Sequence, residues 1–296
     1  GNTYETLWNS YYDTEDLPQV IQPKSGYVYN ANHSPFKSSA AADNPDASDY
    51  PESMGYERYD NNRSTRLYDL LEANKTIDFQ KLKEIKYDHT LPDQLNYNYV
   101  NLNALFDMDP ADYPGVGGLL RKIQSWDRVA AADSKGAAAY AILYYQLGRY
   151  WSKLGEDKTF DTATLHKGLK RTSRYMNRHF KSQDIVLGDF QKLVRGDKNI
   201  PIWGLPDVIT AMHGAPFKDG RYRITNGESY IALIQFREDE TRYQSVISYG
   251  NSNRKSSLHY DDQMKLYQNF QTKPMSFDRD DVLQNAVRRY APMIND

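Results

Sequence analysis

Two carboxamides and an imidazole lie within four residues, at Asn30, Asn32 and His33, in the stretch QPKSGYVYNANHSPF (residues 22–36). Residues 26–30 alternate as a strand does, with Tyr27 and Tyr29 on one face and Val28 on the other. Strand ends are usually closed by Gly, Asp or Pro; this one closes in short polar side chains. By residue type alone, an Asn at such a position is a turn former that bonds its own backbone. A second group is Ser256, Ser257, His259, Asp261 and Asp262. Ser, His and Asp are the parts of a hydrolytic triad, but neighbours this close in sequence converge only through a special turn. The serines ahead of an apolar stripe read better as a helix cap, and Trp126-Asp127 and Asp133-Ser134 likewise read as helix starts. Asp43, Asp46 and Asp49 set oxygen atoms at intervals of three. That suits Ca2+, or is simply a solvated acidic loop. The six histidines are scattered without zinc spacing, so no metal site is assigned.

These residues need elements to hold them. Residues 1–20 are mixed, with Trp8, Tyr11 and Tyr12 as anchors onto something else. Residues 37–62, rich in Ser, Ala, Asp, Asn and Pro, read as a long loop. Residues 63–74 predict a helix with Leu67, Leu70 and Leu71 on one face, and 79–85 a second, short one. Residues 96–108 are ambiguous and 110–118 a turn-rich break. Residues 136–154 give the clearest helix, with Tyr140, Leu143, Tyr144, Leu147, Trp151 and Leu154 in line and Gly155 placed to cap it. Residues 162–180 predict another, basic on its outer face. After Pro201 the texture changes: 228–237 and 243–249 are β-branched and aromatic-rich, at hairpin spacing. Residues 259–270 return to helix. The pattern is α+β, with strands at the two ends and helices between. One strand and one hairpin are too few for an independent sheet; either further strands hide in the ambiguous segments or partner strands belong to another chain.

Composition bounds the function. The chain has 296 residues, 39% of them hydrophobic, and a formal net charge of −2. That charge argues against a nucleic-acid binder, and no apolar run approaches the roughly 20 residues of a membrane span. There is no Cys, hence no disulfide framework, thiolate metal site or cysteine nucleophile. The 25 tyrosines suit wet grooves and interfaces.

Five segments in order carry a resemblance. PKSGYVYNANHSP (residues 23–35) resembles the penicillin acylase-type segment that runs Pro-x-x-Gly, a strand, then Asn-x-Asn-Asn-x-Pro. LPQV (17–20) precedes it as in that family. NRSTRLYDLLE (62–72) is similar to the family's Arg-containing helix start. SWDRVAAADSKGAAAY (125–140) resembles its Trp-Asp, Asp-Ser and Gly-Ala pattern. SYGNSNRKSSLHYDDQMKLY (248–267) resembles its Gly-x-Ser, Ser-x-His-Tyr and Asp-Gln signature. The family belongs to the N-terminal nucleophile (Ntn) hydrolases, so the resemblance implies an αββα sandwich with a helical middle segment. It also implies a self-cleaving precursor, an N-terminal Ser nucleophile with its own amine as base, and hydrolysis of small acylated amides such as penicillins, acyl-homoserine lactones or acyl peptides. Asn32 matches the Asn that supplies an oxyanion donor, and Asn30 the earlier Asn of the motif. His33 departs from the family's second Asn. Arg63 matches an Arg that orients the Asn; by residue type it is equally a helix-start Arg paired with a surface carboxylate.

The chain begins Gly1-Asn2-Thr3, so the resemblance implies that the nucleophile lies upstream. Residues 1–296 then form the carboxyl-terminal portion of a β-chain: strand and Asn motif (1–36), loop (37–62), a mainly helical part (63–200), and hairpin with terminal helices (201–296). The implied partners are the α-chain and the amino-terminal part of the same β-chain, and the implied location is periplasmic or secreted, in a bacterium. No cofactor is implied beyond a possible structural Ca2+ in the parent. On this reading the chain alone is inactive, the strand ending at Asn32 joins the 228–249 hairpin in one sheet, and Asn32 faces an open, partly apolar cleft. Two alternatives stay open. One is a non-enzymatic, tyrosine-rich module binding carbohydrate or peptide; the other is a serine hydrolase using Ser257 and His259.

Overall fold

The computed structural model describes residues 3–7, 10–96 and 100–289; Trp8 lies outside them. Helices α1 (Asn62–Glu72), α2 (Phe79–Lys86), α3 (Ala104–Asp107), α4 (Gly117–Gln124), α5 (Lys135–Leu147), α6 (Thr162–Phe180) and α7 (Leu187–Phe190) come first. The strands follow: β1 (Gln191–Arg195), β2 (Lys198–Pro201), β3 (Met212–Pro216), β4 (Tyr222–Gly227), β5 (Tyr230–Phe236), β6 (Thr241–Ile247) and β7 (Lys273–Met275). Helices α8 (Met264–Gln268) and α9 (Arg279–Gln284) lie late in the chain.

Helix α5 is the axis of the helical part. Ser134 caps it, its Oγ accepting from the Ala137 N–H, as the Asp-Ser pair suggested. Nearly every side chain of α5 is buried, because α4, α6 and α7 surround it. The expected helix over 136–154 is only partly α-helical. It ends at Leu147, and Gly148–Lys153 tightens to a 3-10 turn. Trp151, assigned to the buried stripe, is 50% exposed, whereas Tyr150 and Leu154 pack against the core only in part. The Gly155 N–H bonds the Thr159 carbonyl instead of capping the helix.

The strands form two sheets. One has the order β2-β1-β4-β3, with β1 and β4 parallel; the other is β5-β6-β7. The hairpin falls where the residue pattern set it, in register from Tyr230↔Ile247 to Phe236↔Thr241. Leu193, Met212 and Ile224 of the first sheet and Ile231, Leu233 and Val246 of the second share one apolar cluster with Met264 and Tyr267 of α8.

Three expectations are corrected. Residues 26–30 form no strand. They are stapled to their own loop, the Tyr29 N–H donating to Ser38 O at 2.8 Å and Ser39 Oγ to Tyr27 O at 2.8 Å. They therefore do not join the hairpin's sheet, where the described partner of β6 other than β5 is β7. The strands also do not bracket the helices: β1 and all but the last residue of β2 fall inside 63–200, and their short QKLVRGDKNIP sequence turns at Gly196 (φ +57°). Finally, the helix expected over 259–270 shrinks to α8.

Gly136 allows α5 to meet Trp126, since a β-carbon there would sit 2.4 Å from Trp126 Cβ. Gly→Ala in an ordinary helix interior gains up to about 1 kcal/mol, but overpacking costs about 1–3 kcal/mol. Gly136→Ala is therefore expected to lower the free energy of unfolding in urea; a gain would show that the α5–Trp126 contact is not rigid.

Candidate active site

The start of α1 builds the site. Asn61 is its N-cap: Oδ1 accepts the Ser64 N–H at 2.9 Å and Ser64 Oγ accepts the Asn61 N–H at 3.0 Å. This capping box consumes Oδ1 and aims Nδ2 outward from the helix. Nδ2 donates to the carbonyls of Ala31 (2.9 Å) and Asn32 (3.1 Å), so a buried helix cap grips the polar corner.

Within that corner the two carboxamides do different work. Asn30 Oδ1 accepts the Asn32 N–H at 2.9 Å, the local turn bond that Asn forms readily. Asn32 itself is left-handed (φ +56°), a conformation Asn tolerates better than most residues. Its side chain is exposed, and its Oδ1 accepts from Arg63 Nη1 at 3.0 Å. A guanidinium has only donors, so the amide atom facing it is the oxygen. Nδ2 is thereby turned away from Arg63, and among the described residues no group accepts from it.

Arg63 is steadied from behind. Its Nε donates to Asp207 Oδ1 at 3.2 Å, and Asp207 Oδ2 accepts the Asn62 N–H at 2.8 Å. Asp207 is buried and Arg63 partly so. Burial pushes the Asp207 carboxyl up to about 6, the Asn62 N–H and Arg63 offsetting only part of the desolvation. On β3, half-buried His213 is held below the usual imidazole range by burial, with the Arg63 charge a smaller cause.

The other marked residues take structural positions. His33 is buried, its Nε2–H donating to the Lys37 carbonyl (2.8 Å) while Nδ1 accepts the Ala31 N–H (3.1 Å); its ring stacks on Tyr29. Ser257 Oγ accepts the backbone N–H of His259, and the exposed His259 ring pairs with Asp262. Serine and imidazole are thus not bonded as a nucleophile and base require. Asp43 accepts N–H groups from Lys24 and Ser25, and hydrogen bonding by the Ser25 side chain, then by these N–H groups, holds its carboxyl below the usual range. Asp46 caps Ser48. Among the described residues no group of three His, Asp or Glu side chains could hold a metal.

A cleft of about 470 Å³ opens beside the corner. Asn30, Ala31 and Arg63 line it with apolar Val28, Leu67, Leu71, Leu82 and Ile85. Asn32 stands next to these polar residues and does not itself line the cleft. At the far end Glu228 pairs with Lys86 and accepts from Tyr267 Oη.

In this mixed α+β fold a buried Asp holds an Arg whose guanidinium bonds a carboxamide beside an apolar cleft. The profile of the penicillin amidase family matches residues 1–284, and the chain belongs to that family. Acyl-homoserine lactone acylase PvdQ of Pseudomonas fluorescens is 27% identical over 97 residues, 32% of this chain and 12% of the relative. The protein of that name from Pseudomonas savastanoi pv. phaseolicola is 31% identical over 93 residues, 30% of this chain and 12% of the relative. A thermostable penicillin G acylase from Alcaligenes faecalis superposes with a TM-score of 0.52 at 13% identity, over 98% of this chain and 61% of the solved one; that likeness concerns the fold. The matches thus span 12% of each homoserine lactone acylase and 61% of the penicillin G acylase chain, less than two thirds of each.

Asn32 and Arg63, picked out separately in the sequence, are brought together. Asn61 and Asp207 were not picked out. Asn61 carried a signal, as a capping residue ahead of a helix. Asp207 carried none, because 144 residues separate it from Arg63.

Asp207 gives the site a pH signature. Its carboxyl titrates near 3.8 when unperturbed and at about 6 in the fold. Between those values the native state holds a proton that the unfolded chain has lost. This group's stabilising effect is full below about pH 4 and disappears as pH rises through about 6, a loss of order 3 kcal/mol. In urea titrations of wild type and Asp207→Asn from pH 4 to 7, the wild type is expected to lose stability relative to the variant. Parallel profiles would contradict the buried, proton-retaining carboxylate.

Proposed function

We propose that this chain supplies the oxyanion-stabilising part of an N-acyl amide hydrolase of the penicillin amidase family, whose nucleophile is carried by a preceding segment of the same precursor. The observation that carries the reading is the 3.0 Å bond from Arg63 Nη1 to Asn32 Oδ1, which leaves the Asn32 Nδ2 protons as the outward-facing donors. Amide hydrolysis through an acyl-enzyme passes two tetrahedral oxyanions, one in acylation and one in deacylation. A fixed neutral donor aimed at each is worth about 3–4 kcal/mol of barrier. Asn32 Nδ2 donates to that oxyanion. Arg63 holds the carboxamide and adds positive charge nearby, and Asp207 holds Arg63.

Family membership and the acylase relatives support this class of reaction. The groups bonded to Asn32 are Asn30, Asn61 and Arg63, none of them a nucleophile, so catalysis needs a group from elsewhere. In this reading the two sheets are the inner layers of an αββα sandwich. The α-chain and amino-terminal β-chain segment complete it after autoproteolysis, in the periplasm or outside the cell. The substrate is a small acylated amide, a penicillin, acyl-homoserine lactone or acyl peptide.

Asn32→Ala in the complete acylase is expected to cut kcat by about 10²–10³ with KM little changed, as removal of one oxyanion donor does; an unchanged kcat would refute the assignment. The chain by itself is expected to release no acyl group from a chromogenic amide. Turnover that Asn32→Ala abolished would show that the nucleophile is on this chain after all.

A further inference from the structure

Helix α6 carries charge that the Asn32 site does not use. From residue 162 to 183 there is no Asp or Glu, while Lys167, Lys170, Arg171, Arg174, Arg178 and Lys181 are present. Arg171, Arg174 and Arg178 recur at intervals of three and four, so they share one face. That face borders a cavity of about 230 Å³ against α5, lined by these arginines with Gln146, Tyr175 and His179 and no carboxylate. Some cations elsewhere find acids, as Lys122 does with Asp184 and Lys198 with Asp261. Among the described residues none of the three arginines has an acidic partner. Asp219, in the turn that packs on His179, is paired with Arg221.

Two details give the cavity the character of a site. Arg171 Nε is shut away from solvent with no hydrogen-bond partner, an orphan donor that folding normally avoids. Arg174 is tethered by its Nε to the Lys170 carbonyl at 3.2 Å, which restrains the guanidinium. The Tyr175 hydroxyl is committed to Gly220 O, so that residue serves as wall.

We propose that this cavity binds a phosphate group, either as free phosphate or as the headgroup of a phospholipid. Three guanidinium side chains lining one small space suit a tetrahedral oxyanion, which can accept paired N–H bonds from more than one guanidinium. Bound phosphate would also relieve the repulsion among like charges on one helix face.

Thermal melts and calorimetric titrations of the full chain test this, with inorganic phosphate in one arm and phosphatidylcholine vesicles containing phosphatidic acid in the other. Saturable binding and a rise in Tm beyond that given by chloride at equal ionic strength are expected in at least one arm, and which arm responds identifies the source. Arg171→Gln is expected to weaken that binding about tenfold or more, the worth of one charged hydrogen bond. Arg174→Gln/Arg178→Gln, at exposed positions, does the same and decides the matter if Arg171→Gln fails to fold. No saturable response in either arm, a response that chloride reproduces, or undiminished binding by the folded variants would overturn the proposal.

Discussion

A guanidinium can only donate, and the arrangement around Asn32 follows from that restriction. Facing Arg63, the carboxamide must present its oxygen, so its amine faces out. A charge-assisted bond of this kind is worth about 1.5–3 kcal/mol, enough to hold one amide orientation on an otherwise exposed side chain. Arg63 itself sits at the wrong end of a helix. In the first turn of α1 it meets the positive pole of the macrodipole, and the Asp207 carboxylate compensates. Asp207 in turn is buried at a cost that its bonds offset only in part. Removing Arg63 would leave that carboxylate without a cation, a change that typically costs about 3–5 kcal/mol in buried pairs.

The rest of the fold serves to bring three distant segments to this point. Asn61 and Asn62 open α1; Asn62 Oδ1 receives the Asn96 N–H and its own N–H reaches Asp207. Asp207 is pinned because the residues around it enter both apolar clusters. Leu205 and Val208 pack with the helices around α5, whereas Trp203 and Met212 pack with the two sheets. The segment before β3 is thus a seam between the helical core and the sheet core. A carboxylate placed there is fixed by packing on both sides, and so is the arginine that it holds.

Helix α6 was legible residue for residue, because its apolar positions recur at helical spacing and Asp161 caps it. The hairpin β5–β6 was legible because β-branched and aromatic residues flank a polar turn. The strand expected at 26–30 failed for a physical reason. Period-two alternation describes an extended backbone but names no neighbour, and these residues bond to the loop at 38–39. Strands β1 and β2 were missed because QKLVR and KNIP are charged, short and joined by a tight Gly turn, which in composition resembles a loop. Asn32 and Arg63 were legible only through their resemblance to a family. Their bond, and the Asp207 contact behind it, depend on chain separations that local pattern does not encode.

A double-mutant cycle on kcat for the proposed amide hydrolysis by the complete protein, with Asn32→Ala, Arg63→Ala and the pair, tests the central claim most directly. If Arg63 acts by orienting the Asn32 carboxamide, its removal costs little once that carboxamide is gone, and the double variant is about as slow as Asn32→Ala alone. Losses that multiply would show that the two side chains act independently, and that the bond between them does not set the donor.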